Sequence, residues 1–74
     1  MKLLVAKLHQ TVNVIGFEDM EPSTLSHLQA LGIYPGGELV VLENALGGVV
    51  CKVKDSRLAL DHDVADSILV EERL

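Results

Sequence analysis

Leu28-Gln-Ala-Leu-Gly-Ile-Tyr-Pro-Gly-Gly-Glu-Leu-Val-Val-Leu42 compresses a helix end, a stop signal, a tight turn and a strand start into fifteen residues. Gly32 is suited to the left-handed conformation that closes a helix, and Pro35-Gly36 is a turn pair that redirects the chain. Upstream, Leu25, Leu28 and Leu31 recur at three-residue spacing, which sets one apolar stripe on a helix from about Pro22 to Leu31. Proline suits the first helical position, where its missing N–H leaves no donor unpaired, with Glu21 or Ser23 as the expected cap. Thr24, His27 and Ala30 are expected to face outward. So short a helix does not hold alone in water and must lie against a sheet.

Strands are expected on both sides of that unit. Thr11–Phe17 alternates, with Val12 and Val14 on one face and Asn13 and Ile15 on the other. Downstream, Glu38–Glu43 reads as a second strand and Asn44–Gly48 as a loop. Val49–Lys54 follows, with Cys51 and Val53 inward and Lys52 and Lys54 outward. Asp55-Ser56-Arg57 is a turn before a fourth strand at Leu58–Leu60. Asp61 is placed to cap a single helical turn through Asp66. Ser67–Val70 closes as a fifth strand, and Glu71–Leu74 is read as a charged tail. Leu3–Leu8 is an apolar entry segment, extended or one helical turn. The fold expected is mainly β, a small five-stranded barrel of residues 1–74 with one short α-helix after the first strand.

Size and charge narrow the function classes. A chain of 74 residues forms one domain, and its 49% apolar content is almost wholly aliphatic, since Phe17 and Tyr34 are the only aromatics. Eleven acids against six bases give a net charge of −5, which disfavours nucleic acid and anionic lipid as partners. One cysteine, Cys51, makes no internal disulfide and fits a reducing cytoplasm. The opening apolar run is cut by Lys7 and His9, so neither a signal peptide nor a membrane span is expected.

No catalytic constellation stands out. His9, His27 and His62 lie far apart in sequence, without zinc-ligand spacing. Gly47-Gly48 lacks the Lys-Ser/Thr of a phosphate loop, and no serine lies in a nucleophile context. Asp61-His62-Asp63, with or without Cys51, offers at most a weak divalent-metal site; the alternative is a helix cap on solvated surface. Binding is the better expectation. His27, Ile33, Tyr34 and Leu46 are the candidate contacts, and Gly32, Pro35 and Gly36 shape the surface that carries them. The competing reading of Ile33 is that it plugs one end of the barrel beneath Tyr34.

Leu28-x-x-Leu-Gly-Ile-x-Pro-Gly-x-x-Leu39, then Gly47-Gly48 before an alternating strand, then Leu58-Ala-Leu60, Ala65 and Ile68-x-Val70, resembles the FeoA family over about Leu4–Val70. The resemblance implies a small bacterial, cytoplasmic SH3-like barrel that accompanies FeoB, the membrane transporter of ferrous iron with a cytoplasmic G-protein domain. It implies a non-catalytic accessory of iron uptake, with no cofactor of its own, no nucleic acid partner and no direct membrane insertion. A homo-oligomer is left open. Asp61-His62-Asp63 stands where such proteins commonly carry a basic segment. The same barrel forms the C-terminal domain of DtxR-type repressors, which keeps a metal-binding or metal-responsive role as the alternative.

Overall fold

Apolar alternation converts directly into strands in the computed structural model, which describes residues 1–73. β1 spans Thr11–Phe17, β2 Glu38–Ala45, β3 Gly48–Val53, β4 Ser56–Asp61 and β5 Ile68–Glu72. A 3-10 turn, Leu3–Val5, precedes them. Helix α1, Pro22–Ala30, follows β1, and the short helix α2, His62–Asp66, joins β4 to β5. All pairings are antiparallel, in the order β4-β3-β2-β1-β5.

The inward residues of these strands form one core. Val12, Val14, Leu39, Val41, Val49, Cys51, Val53, Ile68 and Val70 are all buried, and Leu3, Leu28 and Ile33 close the core from outside the sheet. Burying one such side chain stabilises by about 1.5–3 kcal/mol, which a domain this small needs from nearly every inward position. Among the described residues no polar or charged side chain is buried.

Two irregularities set which faces are covered. The β1–β5 register slips between Val14 and Gly16, so Ile15 is left without a partner and is 48% exposed, while Phe17 packs back against the core. The β2–β3 register slips between Val41 and Glu43. Extra residues of this kind bend and twist a strand, which curls a five-stranded sheet around its own core.

The edges are set by pairing rather than by composition. β5 runs on through Glu71 and Glu72, which pair with Asn13 and Val12, so the tail read as loose charge is strand up to Glu72. Leu74, the last residue of that tail, lies outside the described residues. β3 and β4 each begin earlier than apolar content alone suggests, at Gly48 and Ser56, because their hairpin pairs Gly48 with Asp61 and Val53 with Ser56.

Candidate functional site

The helix-to-strand junction is fixed by backbone hydrogen bonds. Leu31 caps α1, and Gly32 follows with φ +102°. The Gly32 N–H donates to the Gln29 carbonyl at 3.1 Å, and the Ile33 N–H to the Leu28 carbonyl at 2.9 Å. That crossed pair is a Schellman end, which puts the residue after the glycine against the last helical turn. Ile33 and Leu28 are accordingly both buried, at 0% and 2% exposure. Ile33 is therefore a core plug and cannot be a contact residue; the geometry that closes the helix also turns its side chain inward.

A second turn displays Tyr34. Pro35 and Gly36 occupy its centre, Gly36 with φ +92°, and the Gly37 N–H donates back to the Tyr34 carbonyl at 2.9 Å. The turn is pinned to β1, because the Gly36 N–H donates to the Val14 carbonyl and the Val14 N–H to the Gly37 carbonyl, both at 2.8 Å. Tyr34 is 38% exposed on this rigid base, and the Lys54 ammonium lies 5.9 Å from its ring centroid. A cation at that distance is held by the ring face. His27 and Leu31 are one helical turn apart on α1 and both exposed.

Leu46 belongs to another end of the molecule. It sits fully exposed in the β2–β3 turn, beside an open trough lined by Leu4, Asn44, Ala45 and His62. Tyr34 lies by Lys54, just past the Val53 end of β3, whereas Leu46 lies just before its Gly48 end. The structure thus separates Leu46 from the Tyr34 junction along the length of β3.

Metal-capable groups do not converge. Asp61 caps α2, its Oδ1 accepting the Val64 N–H at 2.8 Å, and His62 Nδ1 lies 3.6 Å from Asp63. Cys51 is fully buried on β3, and burial pushes its thiol up to about 11, so it is neutral at physiological pH. Among the described residues no three His, Cys, Asp or Glu side chains could hold a metal ion together. Among the described residues of one chain, Asp61, His62, Asp63 and Cys51 are thus not gathered into a common donor set.

A feature the sequence did not announce is a cleft of about 210 Å³ between α1 and β4. His27, Leu28 and Leu31 form one wall, Leu58 and Leu60 the other, and Val64 the end. Its one signal was Leu31, placed on the apolar helix stripe yet 36% exposed, so the stripe runs past what the core covers. Three of the six bases, Lys52, Lys54 and Arg57, cluster on the adjoining β3–β4 hairpin. No helix among the described residues is long and apolar enough to cross a membrane.

Comparison with known proteins assigns this architecture. No curated protein sequence matches the chain. Among solved structures, an iron(II) transport protein A from Clostridium thermocellum superposes with a TM-score of 0.85 at 26% identity, over 97% of this chain and 45% of its own. The chain thus spans less than half the length of that protein. FeoA from Chlorobium tepidum gives 0.87 at 26% identity, over 97% of this chain and 70% of the other. Stenotrophomonas maltophilia FeoA complexed with zinc, described as a procaryotic SH3 domain protein, gives 0.80 at 25% identity, over 96% and 89%. The mainly β, SH3-like fold is therefore shared. The FeoA domain model matches residues 1–72, nearly the whole chain, and the chain belongs to the FeoA family.

Proposed function

We propose that this chain is a non-catalytic accessory protein of ferrous-iron uptake that binds the cytoplasmic side of a FeoB-type transporter, at its G-protein part. The observation that carries the reading is the family match over residues 1–72. The geometry supports it in kind: two interlocked turns hold Tyr34 on a rigid base, with His27 and Leu31 exposed on the helix that leads into them. Preorganised aromatic and apolar side chains lose little conformational freedom on binding, which suits them to a switch protein's surface. Iron is cargo of the transporter in this account and needs no site here.

Calorimetric titration of the chain into the isolated cytoplasmic G-domain of FeoB from the same organism tests the proposal. Tyr34→Ala and His27→Ala are expected to weaken binding by about tenfold or more, as removal of a contact anchor does. Leu46→Ala, at the far end of β3, is expected to leave the G-domain affinity within about twofold, the effect of a residue outside the anchor cluster. Binding unaffected by Tyr34→Ala and His27→Ala would remove the junction from the interface.

A further inference from the structure

The two edges of the sheet are finished differently. The outer edge of β5 is covered by the chain's own N-terminus: the Met1 amino group donates to the Val70 carbonyl at 2.8 Å, the Val70 N–H to the Met1 carbonyl at 2.7 Å, and Lys2 bridges Leu69. The outer edge of β4 has no such cover. β4 pairs with β3 through six consecutive residues without a bulge, and among the described residues no turn, loop or cap backbone bond reaches its other side. α1 faces this edge across the cleft, which Ala59 and Asp61 line along with Leu58 and Leu60. Proteins blunt an edge with charged side chains, proline or a bulge; Ser56–Asp61 has no proline, lysine or bulge, and its charges are Arg57 and Asp61.

The bare edge is complementary to itself. Read against its own reverse, Ser56-Arg-Leu-Ala-Leu-Asp61 sets Arg57 opposite Asp61, Leu58 opposite Leu60 and Ala59 opposite Ala59. A two-fold axis perpendicular to the sheet through Ala59 produces this register and keeps each face of the strand on the same side of the combined sheet. Such an axis permits only steps of one residue, each of which moves every pairing by two. Centred on Leu58 it would set Asp61 against Asp55, and centred on Leu60 it would set Leu58 against His62 and run off the strand. Opposite charges facing across an antiparallel pair stabilise it and like charges oppose it, so the Ala59 register is selected.

We propose that β4 is a self-pairing edge through which two copies of this chain associate as a symmetric dimer, continuing the two sheets into one. Arg57 faces Lys52 across the β3–β4 pair, an unfavourable juxtaposition, and takes part in none of the ion pairs among the described residues. Asp61 of the second copy supplies the missing acid. Only Oδ1 of Asp61 is engaged by the α2 cap, which leaves its other oxygen for Arg57. On the opposite face, Leu58 and Leu60 of each copy meet where they already line the cleft, and Ala59 admits close approach at the axis. A six-residue edge falls short of the ~800 Å² per partner of a stable interface, so the dimer is weak and exchanges rapidly. The inference is independent of the transporter reading, and its test needs only this chain.

Sedimentation equilibrium and amide spectra of the labelled chain, diluted from about 1 mM to about 10 µM, span the range in which so small an interface is populated. The expected result is an average mass rising from 8.0 kDa toward twice that value with concentration. Concentration-dependent shifts should be confined to Ser56–Asp61 and the cleft wall His27–Leu31. Arg57→Asp and Ala59→Lys, both at exposed positions, each set like charges face to face and should weaken association at least tenfold without altering the fold. Mixing Arg57→Asp with Asp61→Arg, once its spectrum shows it folded, should restore association between the two chains. A monomer at the highest concentration, or association undiminished in both Arg57→Asp and Ala59→Lys, overturns the proposal.

Discussion

Gly32 carries two constraints that a side chain cannot satisfy together. Its φ of +102° strains any L-residue, and a Cβ there would come 3.0 Å from Val53 Cγ1 on β3. Gly32→Val is expected to lower stability by about 1–3 kcal/mol, read as a fall of several degrees in melting temperature; an unchanged Tm would contradict the helix stop. Gly48 is tighter still, because a Cβ would lie 2.1 Å from the Leu60 carbonyl oxygen, so Gly48→Ala must push the β3–β4 pairing apart. Cys51 gives a pH signature. Its thiol titrates at an ordinary 9.0 when unfolded and at about 11 when buried, so the folded state holds the proton over that interval. The associated stability is fully present below pH 9 and is lost as pH rises through about 11, on the order of 2–3 kcal/mol. Denaturant melts between pH 8 and 11 should show the decline, and Cys51→Ala should flatten it despite its own cavity cost. Gly32 and the Pro35-Gly36 turn were legible in the sequence because each needs only local chemistry. Ile33, between two turns, reads from the sequence either as a contact or as a plug, and the rule that makes Gly32 a helix stop favours the plug by bringing the following residue against Leu28.

The helices differ in how their ends are held. α2 has a side-chain cap from Asp61, whereas the α1 cap position, Glu21, makes no side-chain hydrogen bond, and Pro22 alone favours that end. Asp61→Ala should cost about 1 kcal/mol, while Glu21→Ser or Glu21→Asp should add about 0.5–1 kcal/mol; thermal melts of the two variants should move in opposite directions. The order of elements, the start and end of β1, and the cap of α2 were readable because each is announced by alternation or by a capping residue. The rest depends on partners distant in the chain. Glu71 and Glu72 are strand because β1 lies beside them, and the register slip between Val14 and Gly16 leaves Ile15 without a partner. A polar tail and an alternating strand do not encode those pairings locally. For the same reason the sequence offers the helix–turn junction and the Ala45-Leu46 loop as two candidate regions without their spacing, and β3 holds them apart.

At the scale of the molecule, one sheet presents two surfaces of different kinds. The junction around His27, Leu31 and Tyr34 joins the last turn of α1 to the turns after it and presents side chains to a partner, whereas the β4 edge offers backbone groups and suits another strand. The cleft between α1 and β4 touches both, since His27 and Leu31 form its helical wall. Occupation of one surface is therefore expected to be felt at the other, and the dimer should compete with a partner that covers the helix. The proposed role is that of an iron-transport accessory, and the central claim is that this junction is where it meets the transporter. The direct test follows backbone amides of the labelled chain during titration with the FeoB G-domain, with and without a GTP analogue. Shifts clustered on His27–Gly36 and stronger in one nucleotide state are the predicted result. An unperturbed spectrum at high micromolar partner, or shifts gathered instead around Leu46, would contradict it.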